Sequence, residues 1–405
     1  MRIIIASDQH WPMISGVATA GRTLAHGLAA HGHDVLVIAP SQTGRKYEEA
    51  DENYQIVRTR SLPFPGRENL RISVAFENEI KKIIATFGPD IVHVHTQFTV
   101  GLTALRMARR LGVPIVATNH TMPENIIRNV RILMPLARPI SHIITEYGVL
   151  LYKGADHIIM PTQAAINLFS YDSLDDVPVS AVSNGIDLNQ YQPGPVPKAF
   201  MTRYGLPTNQ PIISYIGRLD AEKHLNVLVA ALAQVMQSQS VHGLIVGTGN
   251  AEADLKNQVE KLGLTEHVTF TGRVSEADKY LLHRVGQVFA MPSPTELQSL
   301  TTLEAMASGQ PVVAVNAGAL YELCHDGENG FLCTQDDPDD MAQKLIKVIS
   351  DPGLRQRLSV ESLKVAATHD LDHVIKQFEA IYTDVLERHA QKPPRPRGLR
   401  RLRTL

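Results

Sequence analysis

The sequence predicts an α/β protein built from two doubly wound, parallel-sheet halves that face each other across a cleft. Three observations carry that prediction. Short apolar runs alternate with helix-length amphipathic stretches from Arg2 to Val315, the pattern of strands buried on both faces by crossover helices. The alternation breaks at the Pro-rich Tyr191–Pro197 and restarts at Pro211, as a linker between two such units would require. Several apolar runs also end in Gly, Ser or His just before a helix pattern, where open α/β sheets bind ligands.

Taken in order, Arg2–Ser7 is the first strand, and a helix runs from about Gly16 to His31. Gly32-His33-Asp34 turns the chain into a second strand, Val35–Ala39. After a polar stretch, Ile56–Thr59 gives a third strand and Ala75–Phe87 a helix. Ile91–His95 is a strand, Gly101–Leu111 a helix and Pro114–Thr118 a strand, followed by strands at Ile158–Pro161 and Val179–Val182. Beyond the linker come strands at Pro211–Gly217, Gly243–Val246, Val268–Thr271, Val288–Met291 and Pro311–Val315. The expected organisation is a first domain over residues 1–190, a second over 191–373, a helix over 374–388 that returns to close the first domain, and a basic, disordered tail over 389–405.

Composition narrows the function classes. The 405 residues are 44% hydrophobic and 20% charged, with a net charge of −2, so no global charge pulls the chain toward nucleic acid. Cys324 and Cys333 match neither a zinc nor a redox spacing and read as buried thiols of a reducing compartment. The apolar start meets Asp8 too soon for a signal peptide, and no apolar run is long enough to span a bilayer. The expected location is the cytoplasm, at most on a membrane face.

The most informative stretch is 291–314. A strand ending at Met291 is broken by Pro292-Ser293-Pro294, a helix pattern starts near Ser299 or Leu300 and stops at Gly309, and Pro311–Val315 is the next strand. The N–H groups of Ser299, Leu300 and Thr301 at that helix start suit a phosphate. Glu296 in the loop and Glu304 in the helix, with seven residues between them, suit the hydroxyls of ribose and hexose. By itself the pattern also fits an ordinary strand–loop–helix with solvated acids.

Other loops at strand ends add to it. Gly217-Arg218-Leu219-Asp220-Ala221-Glu222-Lys223 puts two cations in one loop, able to stabilise charge growing on a departing diphosphate. A surface salt-bridge cluster is the plainer alternative, but the loop follows the first strand of the second half. Gly247 and Gly249 follow a strand as G-x-G, yet the next strand ends in Gly272-Arg273, without the ribose-binding acid of a dinucleotide site. Gly16, in a loop of small residues, fits either a plain βα turn or an approach to an anion. His120 ends the strand Pro114–Thr118 and projects toward the cleft, whereas His93 and His95 lie within a strand and read as structural.

Two elements read as cationic anchors. After Pro123, Ile126, Ile127, Val130, Leu133, Met134 and Ala137 share one helix face, with Arg128, Arg131 and Arg138 on another, a pattern of bilayer-surface helices and equally of packed ones. The tail carries Lys392, Arg395, Arg397, Arg400, Arg401 and Arg403 without an acid. Asp370-Leu371-Asp372 spells D-x-D but opens a late helix, away from any strand end, and reads as a cap region.

Glu296 and Glu304 with the flanking E-A-M-A-S-G-Q-P-V-V resemble the E-x7-E signature of glycosyltransferase family 4, and the resemblance reaches to about residue 389. It implies a GT-B fold and a retaining transfer from a nucleotide sugar. E-L-Q-S-L-T-T-L-E is similar to the version in bacterial diacylglycerol glucosyltransferases, implying UDP-glucose as donor, a membrane lipid such as diacylglycerol as acceptor, and peripheral attachment to the inner face of the membrane. The resemblance makes Arg218 and Lys223 a phosphate clamp and turns the Gly16 loop toward the donor phosphates. It also places Gly247, Gly249 and the Arg273-Val274 backbone near the nucleoside, and His120 on the donor hexose. Leu297, Ser299 and Pro123 depart from the lipid enzymes.

The catalytic set expected is therefore His120, Arg218, Lys223 and Glu296. The donor-binding set is Gly16, Gly217, Gly247, Gly249, Arg273, Val274, Ser299, Leu300, Thr301 and Glu304. No cofactor and no metal are expected, because Arg218, Lys223 and helix amides supply the positive charge. The partners expected are a nucleotide sugar, a lipid acceptor and an anionic membrane surface, with no nucleic acid. The alternatives are a GDP-mannose-dependent transfer to phosphatidylinositol, transfer to a soluble sugar, a nicotinamide oxidoreductase, and a sugar-nucleotide-binding protein without turnover.

Overall fold

The structure is a computed structural model that describes residues 1–13, 15–64, 67–120, 152–168 and 177–391. The arginine-bearing segment 126–138 and the tail from 392 onward lie outside the described residues.

The first half is an eight-stranded sheet. Its strands are β1 (Arg2–Ala6), β2 (Asp34–Pro40), β3 (Tyr47–Asp51), β4 (Tyr54–Thr59), β7 (Ile91–Val94), β8 (Ile115–Thr118), β9 (His157–Met160) and β10 (Val179–Ala181). They lie in the order β10-β9-β8-β7-β1-β2-β4-β3. A separate ribbon, β5 (Ser61–Phe64) and β6 (Arg67–Ser73), branches off after β4. Helices α1 (Gly16–Ala30), α2 (Glu77–Phe87) and α3 (Thr99–Leu111) cover the sheet, and a short α4 (Gln163–Leu168) follows β9. The central strands are apolar on both faces: Ile3, Ile4 and Ile5 are all fully buried.

The polar stretch after β2 departs from the sequence expectation. Tyr47–Asp51 forms an antiparallel edge strand against β4. Glu48, Glu49 and Ala50 are exposed there, so packing imposes no apolar alternation that a sequence pattern could reveal.

The second half opens with α5 (Lys198–Arg203) and is an all-parallel sheet ordered β13-β12-β11-β14-β15-β16. Its strands are β11 (Ile212–Ile216), β12 (His242–Val246), β13 (Val268–Gly272), β14 (Val288–Met291), β15 (Val312–Val315) and β16 (Gly330–Cys333). Helices α6 (Leu225–Val235), α7 (Glu252–Lys261), α8 (Glu276–His283), α9 (Leu300–Ala307), α10 (Pro338–Ser350) and α11 (Pro352–Ala367) wrap it.

The last helix, α12 (Leu371–Gln391), crosses back to the first half. It lays Val374, Ile375, Phe378, Tyr382 and Val385 into the core that holds Ile3, Ile5, Leu24 and Leu28. Glu379 accepts from His33 Nε2 at 2.8 Å and His31 Nδ1 at 3.0 Å, and the Tyr382 hydroxyl meets His93 Nδ1 at 2.7 Å. Asp370 and Asp372 stand at its start, where Asp372 pairs with Lys376 and His31.

The halves also touch near α9. Gln298 Oε1 accepts from the backbone N and the Nδ2 of Asn184, while its Nε2 donates to Ser183 Oγ at 2.9 Å. Thr162 Oγ1 donates to the Leu297 carbonyl at 2.8 Å, and Glu322 accepts from the Gln163 and Ala164 amides that open α4. These contacts fix the loop bearing Glu296 relative to the first half.

Candidate active site

The site is built where β11, β12 and β14 end. The three loops after β11, β12 and β13 are stitched by backbone bonds: Gly217 N to Val246 O, Leu219 N to Thr248 O and Gly247 N to Gly272 O, each 3.0 Å. Gly247 has φ +129°, and a Cβ there would stand 1.9 Å from the Gly217 carbonyl oxygen. A Cβ at Gly249 would fall 2.3 Å from the Leu219 carbonyl carbon. Only glycine lets these backbones pack so closely, which leaves a smooth floor of peptide groups.

Arg218 and Lys223 rise from the β11 loop in different company. The Arg218 guanidinium pairs with Asp220, and its second nitrogen donates to Glu222 Oε1 at 2.5 Å. Burial works against the Arg218 charge, but the Glu222 and Asp220 carboxylates outweigh it and raise its pKa. The Tyr215 hydroxyl donates to the Arg218 carbonyl at 2.9 Å and props the loop from below. Lys223 Nζ reaches across to Glu296 Oε1 at 2.6 Å, with the two side chains only 13% and 12% exposed.

Glu296 is itself held. Its carbonyl accepts from Ala319 N at 2.9 Å, and a Cβ at Gly318 (φ +58°) would approach that carbonyl to 2.7 Å. Beside it, Ser293 Oγ and Thr295 Oγ1 are buried without a hydrogen-bond partner among the described residues. Such groups are costly unless something binds them.

The α9 helix begins just after. Ser299 is the N-cap with extended backbone, but its hydroxyl accepts from Thr302 Oγ1 at 2.8 Å and caps no amide. The first-turn N–H groups of Leu300 and Thr301 therefore keep their donors and the positive end of the helix dipole.

Glu304 lies one turn along and is 4% exposed. Its Oε1 accepts from Lys279 Nζ at 2.6 Å and the Tyr191 hydroxyl at 2.9 Å, and its Oε2 meets His283 Nε2 at 3.1 Å. Burial pushes its pKa up, but the Lys279 charge and the His283 bond prevail and hold it at about 2. It is an anchored carboxylate with protein donors on both oxygens.

His120 sits after β8 in the first half. Its Nε2 meets His95 Nδ1 at 3.1 Å and the rings stack with centroids 5.1 Å apart. Burial lowers its pKa to about 4, so the ring is neutral near pH 7. Asp8, from the loop after β1, accepts from Thr96 and Thr99 hydroxyls and the Val100 and Gly101 amides, capping α3.

Of the residues expected from sequence, the structure directly joins Lys223 with Glu296, and Gly217 with Gly247. Ser299, Leu300 and Thr301 follow the Glu296 loop as the N-cap and first residues of α9. Gly16 begins α1, with Ser15 accepting from Ala18 N at 3.1 Å, and the space beside it is open. Arg273 is exposed after β13, and Val274 packs on the second-half core. Arg218 is held by the carboxylates of its own loop, and His120 by His95. Sequence reasoning did not single out Tyr215, Gly318, Lys279 or His283. Lys279 and His283 are four apart on α8, a spacing that puts both on one face and could have marked them.

Known proteins match this chain over most of its length. A family model described as Glycosyltransferase Family 4 matches residues 14–190, and one described as Glycosyl transferases group 1 matches residues 198–364. The alpha-monoglucosyldiacylglycerol synthase of Streptococcus pneumoniae is 28% identical, over 93% of this chain and 85% of that protein. The D-inositol 3-phosphate glycosyltransferase of Mycolicibacterium vanbaalenii is 31% identical, over 81% and 75%. Among solved structures, a sucrose-phosphate synthase from Thermosynechococcus elongatus superposes with a TM-score of 0.77 at 18% identity, over 96% of this chain and 100% of that one. Two Rossmann-like halves, family matches in each of them and a relative above 30% identity make this chain a GT-B glycosyltransferase of the group 1 and family 4 kind.

Proposed function

We propose that the enzyme transfers glucose from UDP-glucose to diacylglycerol with retention of the anomeric configuration, working at the inner face of a membrane. The Lys223–Glu296 pair beside the uncapped start of α9 carries this reading, because it sets a fixed cation and a fixed carboxylate next to free amides. The diphosphate would lie on the Leu300 and Thr301 amides, with Lys223 and Arg218 offsetting charge as it leaves. Glu296 would accept hexose hydroxyls and His120, as a neutral ring, would face the sugar from the other half. The residues support a front-face route in which the leaving phosphate takes the acceptor's proton, with no metal needed. The lipid acceptor is supported by the alpha-monoglucosyldiacylglycerol synthase likeness over 93% of the chain. Among the described residues no helix is long and apolar enough to cross a membrane.

A second reading has one observation behind it: the D-inositol 3-phosphate glycosyltransferase, at 31% identity, favours a soluble phosphorylated polyol as acceptor. Purified protein offered UDP-glucose or GDP-mannose, with diacylglycerol vesicles or with inositol 3-phosphate, decides between them. An α-linked glucolipid formed in the presence of EDTA is the expected product. Transfer only to inositol 3-phosphate would replace the lipid reading, and donor binding without transfer to either would remove both.

A further inference from the structure

Antiparallel pleating sends alternate residues of the β5–β6 ribbon to opposite faces, with paired residues on the same side. Ser61 pairs with Ser73 and Leu62 with Ile72, and the Val74 N to Arg60 O bond of 2.8 Å extends the ladder one step further. Arg60, Leu62, Ile72 and Val74 therefore share one face, and Ser61 and Ser73 the other. The serine face is turned inward. Ser61 Oγ donates to the Ser41 carbonyl at 2.5 Å, Ser73 Oγ meets Thr59 Oγ1 at 2.8 Å, and both serines are buried. The apolar face is turned out, with Leu62 at 59% and Val74 at 41% exposure. Phe76, at the start of α2, is 75% exposed, and Phe98, at the start of the neighbouring α3, is 44% exposed. A ribbon with its hydroxyls inside and its hydrocarbon outside is inverted for water and needs a partner.

Two acids of α2 are already engaged by cations. Glu77 is taken by Arg110 at 2.5 Å and Glu79 by Lys46 at 3.3 Å. Arg60, Lys81 and Lys82 are exposed and make no ion pair among the described residues. Exposed hydrocarbon with an unneutralised cation on the same ribbon face and two more on α2 is complementary to an anionic bilayer. The position fits as well. The ribbon leaves the sheet where β2 and β4 end, at Ser41 and Thr59, and His120 follows β8 on that same carboxyl rim.

We infer that the outward face of the β5–β6 ribbon, with Phe76 and Phe98, is the surface that seats this enzyme on an anionic lipid bilayer. This deepens the lipid-acceptor reading and rests on it, since a docked rim brings a membrane-embedded acceptor up to the cleft.

The test is co-sedimentation of the full chain with vesicles of phosphatidylcholine alone and of phosphatidylcholine with phosphatidylglycerol. The Leu62→Ser/Phe76→Ser pair should lower partition onto the anionic vesicles at least about tenfold. Lys81→Glu/Lys82→Glu should lower it by a similar factor and flatten its salt dependence. Leu262→Ser, at an exposed leucine of the other half, should leave it unchanged. Turnover on detergent-dispersed, short-chain diacylglycerol should persist in all three, which separates docking from catalysis. Wild-type partition in the serine pair, or a loss shared by Leu262→Ser, overturns the assignment. So does light scattering that shows the serine pair dissolving a dimer, since the face would then belong to a second copy. Ribbon-dependent vesicle binding without any transfer to diacylglycerol would instead keep the surface and remove the acceptor.

Discussion

Lys223 and Glu296 come from loops at the ends of the neighbouring strands β11 and β14, and their side chains meet at 2.6 Å. The pairing is intramolecular, yet both groups keep an exposed edge. Each holds the other at a fixed place beside α9. Lys223→Ala or Glu296→Ala should lower kcat about a hundredfold to a thousandfold, with the melting temperature little changed. Steady-state kinetics with circular dichroism checks this, and near-normal turnover in both would take the pair out of the reaction.

Gly247 is fixed by backbone geometry. Alanine there must adopt φ +129° and meets the Gly217 carbonyl at 1.9 Å, so the loops after β11 and β12 must part. Gly247→Ala should destabilise the fold by about 1–3 kcal/mol or more and weaken nucleotide binding. Gly16→Ala, where a Cβ meets nothing within 4 Å, should leave the fold intact. Thermal melts with and without UDP compare the two.

Gln298 joins the halves through Ser183 and Asn184 and is 8% exposed. Gln298→Ala leaves the Asn184 amide and the Ser183 hydroxyl without this partner. It should cost about 1–3 kcal/mol in urea unfolding and reduce kcat, because the Glu296 loop loses its tether. Unchanged kinetics would mean that the contact does not set loop geometry.

Acid should weaken the first half in a defined window. Burial, before any other cause, lowers His10 and His93 to about 3 and His120 to about 4, and takes His95 well below its usual value. Above pH about 6.5 folded and unfolded chains both hold these rings neutral. As pH falls below that, only the unfolded chain takes protons, so stability is lost down to the folded values, by up to about 1.4 kcal/mol per pH unit for each ring. Denaturant unfolding across this range should show the slope, and His93→Phe should reduce it.

Arg218, Lys223 and the α9 amides lead to one further expectation. Turnover should survive EDTA, and added magnesium should change it by less than about tenfold. Loss of activity on chelation, restored by a divalent ion, would assign charge neutralisation to a metal.

The two halves and the strand–loop–helix around Glu296 were legible because βα alternation ties each loop to a strand end, and the strands are apolar enough to read. Lys223 and Glu296 could both be singled out for that reason, though not as a pair. The polar edge strand Tyr47–Asp51 was not, since exposed positions carry no periodic demand. The ribbon bearing Leu62 and Val74 defeated the pattern in another way: its apolar residues face out. Gln298 marked a family likeness in the sequence, but its partners lie more than a hundred positions away, and only folding reveals them. The spacing marks Glu304 as an acceptor for sugar hydroxyls but does not announce Lys279, His283 and Tyr191, which engage its two oxygens in the fold.

The return of α12 to the first half sets an order of assembly. Residues 1–190 emerge from the ribosome long before Ile375, Phe378 and Tyr382, which complete their core. The first sheet must therefore wait, with the side beside α1 only partly covered, while the whole second half is made and collapses. The nascent chain is thus most exposed to misassociation midway through its synthesis, and release of the final turns acts as the latch that ends it.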